Sequence, residues 1–300
     1  MPVFIVDKPL NLTSHDVVAR ARRLLKTRAV GHAGTLDPLA TGVLVVLSGE
    51  ATKLSPFLTA AEKHYLAWVS FGVGTPTLDA EGPVSETGDA SRLTAEGVGG
   101  ALPPFLALTE QLPPQYSAIK KGGVKGYEAA RKGENLKLEP RPAGYRHVEM
   151  LEFAPTRDEL KGPEYPATLP PTLEDAPTAL FQVQVQAGTY LRAFARDLGA
   201  ALGVPAHLSG LVRTRSGSFG LEAAAQIDDL PTTPGVELAD ALPYPLLELD
   251  AAQVARIRQG QRLPSEKMAD GRLGLIDDAR ALVAVAEVQG GRMKLLRVWR

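Results

Sequence analysis

The run Val43-Leu44-Val45-Val46-Leu47 is apolar at every position, rich in β-branched residues and bounded by Gly42 and Gly49. On a backbone whose side chains alternate between two faces, such a run leaves no face for water, so it predicts a strand buried on both sides of a sheet. Both faces of that sheet need cover. A chain of 300 residues with 44% hydrophobic side chains can supply it, in one large domain or two unequal ones. Tyr65 to Val73 alternates, with Tyr65, Ala67, Val69 and Phe71 on one side, and predicts a half-buried strand; Phe181 to Val185 alternates likewise. Ser14 stands where it would cap a helix carrying Val17, Val18, Ala21, Leu24 and Leu25 on one face, and Leu191, Phe194, Ala195, Leu198 and Leu202 make a second helical stripe. Strands and helices interleave without a regular βαβ period or a Gly-x-Gly-x-x-Gly turn. The main domain is therefore expected to mix α and β without a dinucleotide or P-loop site.

Proline marks the borders. The stretch from Pro155 to Pro177 is too polar and proline-rich for a core element and predicts a surface insertion over 155–178. Pro231 to Pro245 has the composition of a linker. Beyond it, Ala281 to Val288, the turn Gln289-Gly290-Gly291 and Arg292 to Val298 carry a hairpin signal. A division at 1–245 and 246–300 follows, the second part being too small to build much core of its own.

With no cysteine in the chain, disulfides, thiolate nucleophiles, zinc fingers and iron–sulfur clusters are all excluded, and no His, Asp and Glu residues stand at ligand spacing. No run approaches the roughly 18 apolar residues of a membrane span, and Val3-Phe4-Ile5-Val6 passes straight into Asp7-Lys8-Pro9, so a cytoplasmic protein is expected. The net charge of −1 is uninformative, but its distribution is not. From Ala251 to Arg300 ten basic residues face five acidic ones, and Arg20, Arg22, Arg23, Lys26 and Arg28 cluster near the start. Such patches suit a polyanion, with solvated helix faces as the plainer alternative.

The densest constellation is Gly31-His32-Ala33-Gly34-Thr35-Leu36-Asp37-Pro38-Leu39-Ala40-Thr41-Gly42. Its glycines permit close backbone approach, and Pro38 restricts Asp37 to extended geometry. By itself, Asp37 is either a turn residue or a carboxylate projected from a tight loop. Arg192 falls in the first turn of its helix, where a cation opposes the helix dipole by about 0.3 to 1 kcal/mol. Either a carboxylate compensates it or it lies solvated beside Asp197.

The pattern Gly-His-x-Gly-x-Leu-Asp-Pro-x-Ala-x-Gly resembles the signature loop of the tRNA pseudouridine-55 synthases, the standalone bacterial branch of a pseudouridine synthase superfamily. Further stretches are similar to that family's motifs: Asp7-Lys8-Pro9 with Thr13 to Val18, Pro113 to Lys120 continued by Tyr127 to Glu134, Gly188 to Arg192, Ala195 to Gly199, and Leu211 to Phe219. The resemblance spans residues 3 to about 230. Asn11 replaces the usual glycine, Val185-Gln186-Ala187 replaces the usual Cys-Ser-Lys, and the proline-rich insertion is longer than usual.

This resemblance implies an α+β fold with a mixed, mainly antiparallel sheet, and a small carboxyl-terminal β-barrel of the PUA type. It also implies isomerisation of uridine to pseudouridine at position 55 of the tRNA T-arm loop, with no cofactor and no metal. Asp37 matches the catalytic carboxylate, Arg192 its partner through a bidentate fork, and Tyr65 the stacking and proton-handling tyrosine. His32, Tyr190, Leu211, Asp79 and Lys8 fall at substrate-binding positions, with Asp79 a possible second carboxylate on Arg192 and His32 filling the space a flipped nucleotide vacates. The implied partner is the tRNA T stem-loop, with no protein partner, no membrane and a monomeric chain. The competing readings are a non-catalytic tRNA-folding chaperone and a guide-RNA-dependent synthase subunit.

Overall fold

A computed structural model describes residues 2–117, 120–121, 124–126, 136–163 and 167–299. Its main sheet has the strand order β1 (Val3–Lys8), β3 (Ala40–Ser48), β7 (Ala206–Ser216), β4 (Lys63–Phe71), β6 (Thr178–Val185) and β5 (Tyr145–Ala154), and β2 (Val30–Ala33) pairs with β3 off that path. The apolar run becomes β3, buried at all nine positions. Every ladder along this path is antiparallel except β3 with β7, as a mixed, mainly antiparallel α+β fold requires. One edge of β3 pairs with β1. The other is shared, Ala40–Gly42 running parallel to Leu211–Arg213 of β7 while Val45–Ser48 pair with β2. The chain between β2 and β3 therefore lies where the sheet forks, and it holds Asp37.

Helices α1 (Ser14–Leu24) and α2 (Leu191–Leu202) cover the front face, where Val17, Val18 and Ala21 of α1 and Leu191, Phe194 and Leu198 of α2 join Leu44, Val46, Val69 and Phe181 in one core. Thr13, not Ser14, caps α1: its hydroxyl accepts from the Asp16 amide, and the Asp16 carboxylate accepts from the Thr13 amide. Ser14 is the first helical residue, and it turns inward.

The back face accounts for two departures from the sequence reading. β4 is buried on both faces rather than one, because Leu160, Ala167 and Leu169 of the proline-rich stretch pack over Leu66, Trp68, Leu180 and Val212. Arg157 adds a bond to the Ser209 carbonyl at 2.8 Å. That stretch is thus a cover for the sheet, its polarity facing water and its few apolar residues facing in. The proline-bounded segment after Pro231 is likewise no free linker. Val236 exchanges two backbone hydrogen bonds with Val3, and Ala239, Ala241 and Leu242 are buried.

A second sheet follows, in the order β8 (Leu246–Glu248), β9 (Gly271–Ile276), β10 (Leu282–Gln289) and β11 (Arg292–Val298), with helix α3 (Ala251–Arg258) beside it. The hairpin forms as its turn residues dictate, with Gly290 and Gly291 both at positive φ. Among the described residues no ladder joins β8 to β11, so the expected closed barrel is instead an open four-stranded sheet. Ile276, Leu282, Val285 and Trp299 pack onto Val3, Ile5, Val45 and Leu47 of the main sheet. The Trp299 indole donates to the Glu50 carbonyl at 3.2 Å. No helix among the described residues is long and apolar enough to cross a membrane.

Trp299 thus anchors the second sheet to the first. Trp299→Ala is expected to lower the unfolding free energy by about 3 to 5 kcal/mol in urea titrations followed by circular dichroism. A loss under about 1 kcal/mol would show that the second sheet docks without it.

Candidate active site

The Asp37 loop is held by its backbone carbonyls. Arg213 of β7, 1% exposed, donates from Nε to Val43 O at 2.7 Å, from Nη2 to Gly34 O at 2.9 Å and from Nη1 to Thr35 O at 3.3 Å. Lys8 of β1, fully buried, donates to Pro9 O, Leu12 O and Pro38 O at 2.9, 2.6 and 3.4 Å. Ser14 accepts from the Leu36 amide and donates to its carbonyl, pinning the residue before Asp37 from helix α1. Gly42 completes the frame: at φ +95°, a Cβ there would lie 2.3 Å from the Arg213 carbonyl oxygen. Asn11, at φ 65°, tolerates the left-handed geometry expected of it and donates its amide to Pro38 O.

With its backbone held, Asp37 presents its carboxylate to Arg192. Arg192 Nε lies 2.9 Å from Asp37 Oδ2 and 3.5 Å from Asp79 Oδ2, and Nη1 donates to Thr77 O at 3.1 Å. The expected bidentate fork is absent: Nε sits between two carboxylates with its N–H directed squarely at neither. Burial opposes the Arg192 charge, and Asp37 and Asp79 more than reverse that, holding its pKa above the ordinary value. Asp79 is 2% exposed; its Oδ1 accepts from the Thr77 hydroxyl at 2.6 Å and the Glu81 amide at 3.1 Å. Burial raises the Asp79 pKa against the pull of Arg192. The Asp37 side chain keeps 35% of its surface exposed, against 7% for Arg192 and 3% for Asp79. Asp37 is thus the member of the trio that faces outward.

The other sequence candidates divide. Tyr65 and Leu211 are in the front core with Leu36 and Leu39 of the loop, Tyr65 opposite Arg213 and Leu211 opposite Ala40, where the loop enters β3. Tyr190 immediately precedes α2; burial, and then the charge of Asp37, raise the pKa of its phenol. His32 meets His15 edge to face at 5.5 Å, and its Nδ1 is buried with no hydrogen-bond partner among the described residues. Burial, then His15 and Arg213, lower the His32 pKa to about 4, so its ring is neutral at pH 7. One assignment needs correction: all three Lys8 donors are taken by carbonyls, so Lys8 is a framework group with no free donor for substrate, whereas Asp79 is the second carboxylate on Arg192 that the resemblance allows. Ala118, Ile119 and the motif from Tyr127 to Glu134 lie outside the described residues.

Sequence reasoning missed Arg213, although it stands within the family-like stretch from Leu211 to Phe219, because only the fork in the sheet brings it under the loop. It also missed Lys63, whose Nζ donates to Thr59 O and Ala61 O at 2.9 and 2.5 Å beneath Gly34. Burial lowers the pKa of Lys63 to about 8, as it does for Lys8.

A TruB family pseudouridylate synthase (N terminal domain) model matches residues 22–191, more than half of the chain. This chain belongs to the TruB family of pseudouridylate synthases. It is 50% identical to the tRNA pseudouridine synthase B of Thermus thermophilus, covering 100% of this chain and 99% of the relative. It is 46% identical to the protein of the same name from Deinococcus deserti, covering 100% of both. In fold, this TruB-family chain resembles a crystal structure of a Cbf5–Nop10–Gar1 complex, with TM-score 0.70 and 25% identity over 99% of this chain and 84% of that one.

Glu81 adds a titrating group at the rim of the trio. Glu81 is exposed as a residue, but desolvation of its carboxyl against the trio, then repulsion from Asp79 and Asp37, push that carboxyl up to about 7, while Arg192 and Lys8 pull the other way. Between pH 4.5 and about 7 the folded chain therefore keeps a proton that the unfolded chain has lost, and stability falls as pH rises. The Glu81→Gln variant should gain stability relative to the parent across that window and hold a constant difference above it. Denaturation midpoints measured from pH 4 to 9 check this; a pH-independent difference would place the Glu81 carboxyl in open water.

Proposed function

We propose that this chain isomerises uridine to pseudouridine in tRNA, at position 55 in the T-arm loop, with Asp37 as the catalytic carboxylate. The observation that carries the reading is the Asp37–Arg192–Asp79 trio, in which one carboxylate is left partly open beside a buried guanidinium. The substrate follows from the relatives named tRNA pseudouridine synthase B.

The reaction breaks the bond from uracil N1 to ribose C1′, turns the base over, joins C5 to C1′ and releases the C5 proton. A uridine in a folded loop must first leave its stack, which costs a few kcal/mol that an aromatic platform offsets. Tyr65 supplies that platform next to the Asp37 loop, and His32, uncharged, is suited to the space the base vacates. Arg192 pairs with the Asp37 carboxylate at 2.9 Å where the base would lie, and Asp79 holds Arg192 in place. Tyr190 and Leu211 complete the walls. Arg258, Arg262, Lys267, Arg292, Lys294 and Arg297 are exposed and in no ion pair among the described residues, so the second sheet, of PUA type in this reading, offers phosphate contacts. Around α1 the supply is smaller, since Arg20 pairs with Asp228 and Arg22 donates to Val30 O. The enzyme is expected to act in the cytoplasm as a monomer, without cofactor, metal or protein partner.

Purified protein and an unmodified tRNA transcript, with no other component, test the reading through a pseudouridine map and release of label from C5 of uridine. Asp37→Asn should lose more than about 99% of turnover while tRNA affinity stays within a few fold, since the amide removes charge without volume. Tyr65→Phe should bind normally and turn over about 100-fold slower. Product that appears only with a guide RNA, or tRNA binding without product, would replace the reading with one of its competitors.

Removing residues from Ala251 onward should weaken binding more than it slows chemistry. The dependence of log K on log salt should flatten by roughly 0.7 to 0.9 for each phosphate that the shortened chain no longer neutralises, and an unchanged slope would put the RNA-binding surface elsewhere.

A further inference from the structure

Helix α2 carries Arg192 two residues after Tyr190, yet its amino-terminal residue has no side-chain cap of its own. A side chain from elsewhere in the chain takes that place. Gln111, 4% exposed, belongs to a two-residue ladder with Arg141–Pro142. Its Oε1 accepts from the Tyr190 amide at 3.0 Å, and its Nε2 donates to the Tyr190 carbonyl at 3.3 Å and to the Tyr145 hydroxyl at 2.8 Å. A primary amide that meets both backbone groups of one residue mimics a strand partner and fixes that residue in position and rotation. Tyr145 sets the amide's orientation, since its ring is held edge to face against Phe105 at 5.6 Å and tilted against Phe194 at 5.7 Å. The next residue, Leu112, accepts from Arg196 Nη2 of the same helix at 2.9 Å. Three bonds from one short segment thus meet the start of α2 and the turn that follows.

We propose that Gln111 is a positioning residue which, through the Tyr190 backbone, sets the Tyr190 ring and the Arg192 guanidinium against Asp37. The inference rests on the catalytic reading of Asp37 and Arg192 given above. It also explains why so polar a side chain is buried next to an aromatic core: all the bonds it makes converge on the entry to α2 and on the tyrosine that orients it. A shift of about 1 Å at the start of α2 would change how Nε is shared between Asp37 and Asp79, and displacements of that size cost catalysis about 100-fold when they misplace a reacting group.

Steady-state kinetics on the full chain with unmodified tRNA test the proposal. Gln111→Leu should lower kcat by about 10-fold or more with KM within threefold of the parent. Tyr145→Phe keeps the packed ring, removes only the hydroxyl that orients the amide, and should lower kcat by about threefold with KM unchanged; it serves if Gln111→Leu does not fold. Combined with Arg192→Lys, either variant should cost little more than Arg192→Lys alone, because both act through the same guanidinium. Losses that multiply fully in the double variants, or a kcat within twofold of an active parent in the single variants, would overturn the proposal. An inactive parent would overturn the functional reading instead, so the two failures are distinct.

Discussion

A guanidinium with no carboxylate partner among the described residues sits beneath the Asp37 loop. Burying Arg213 away from water is tolerable only because the carbonyls of Gly34, Thr35 and Val43 take up its donors, and those same bonds bend the chain around Asp37. Lys8 does the same at Pro38 and Lys63 stands under Gly34. The site therefore separates two uses of positive charge. Arg213 and Lys8 neutralise backbone dipoles and set shape, while Arg192 meets carboxylates and sets charge. Because the framework cations are occupied by carbonyls, Asp37 has its ion pair with Arg192 and keeps an open side.

The fork in the sheet makes this possible. β3 passes from a parallel neighbour to an antiparallel one along a single edge, and the connection at the change of partner is freed from any ladder while remaining surrounded by strands. Gly42 is indispensable at that point, since no Cβ fits between β3 and β7 there. A loop built this way is held by its neighbours without being covered, which suits the proposed meeting of Asp37 with a bulky polymer.

Most of the local structure was legible because it is local. The period of Val43 to Leu47, the stripe of α2 and the glycines of the hairpin each announce themselves within a few residues, and Asp37 stands in a motif dense enough to carry a resemblance. Long-range packing was not legible. The alternation of Tyr65 to Val73 marks one core face, but the other face carries Leu66 and Trp68, and their cover, Leu160, Ala167 and Leu169, stands about a hundred residues away. Lys8 in a sequence motif looks like a substrate contact until its donors are counted, and Ser14 looks like a cap until Thr13 and Asp16 are seen to close the box. Arg213 and Gln111 carry no sequence signal of their role, because what each binds is backbone from a distant segment.

The packing of Trp299 against Val3 and Ile5 has a temporal side. Almost the whole chain separates the first strand from the residue that seals its back face. At 5 to 20 residues per second, translation leaves that apolar surface without its cover for roughly 15 to 60 s after β1 is made. The front core, built from α1, β3 and later α2, can consolidate in the meantime, and Leu54, Phe57 and Leu58 reach the back of β1 and β3 early, but part of that face waits for the second sheet. The nascent chain thus carries an open apolar patch until the second sheet and Trp299 have been made.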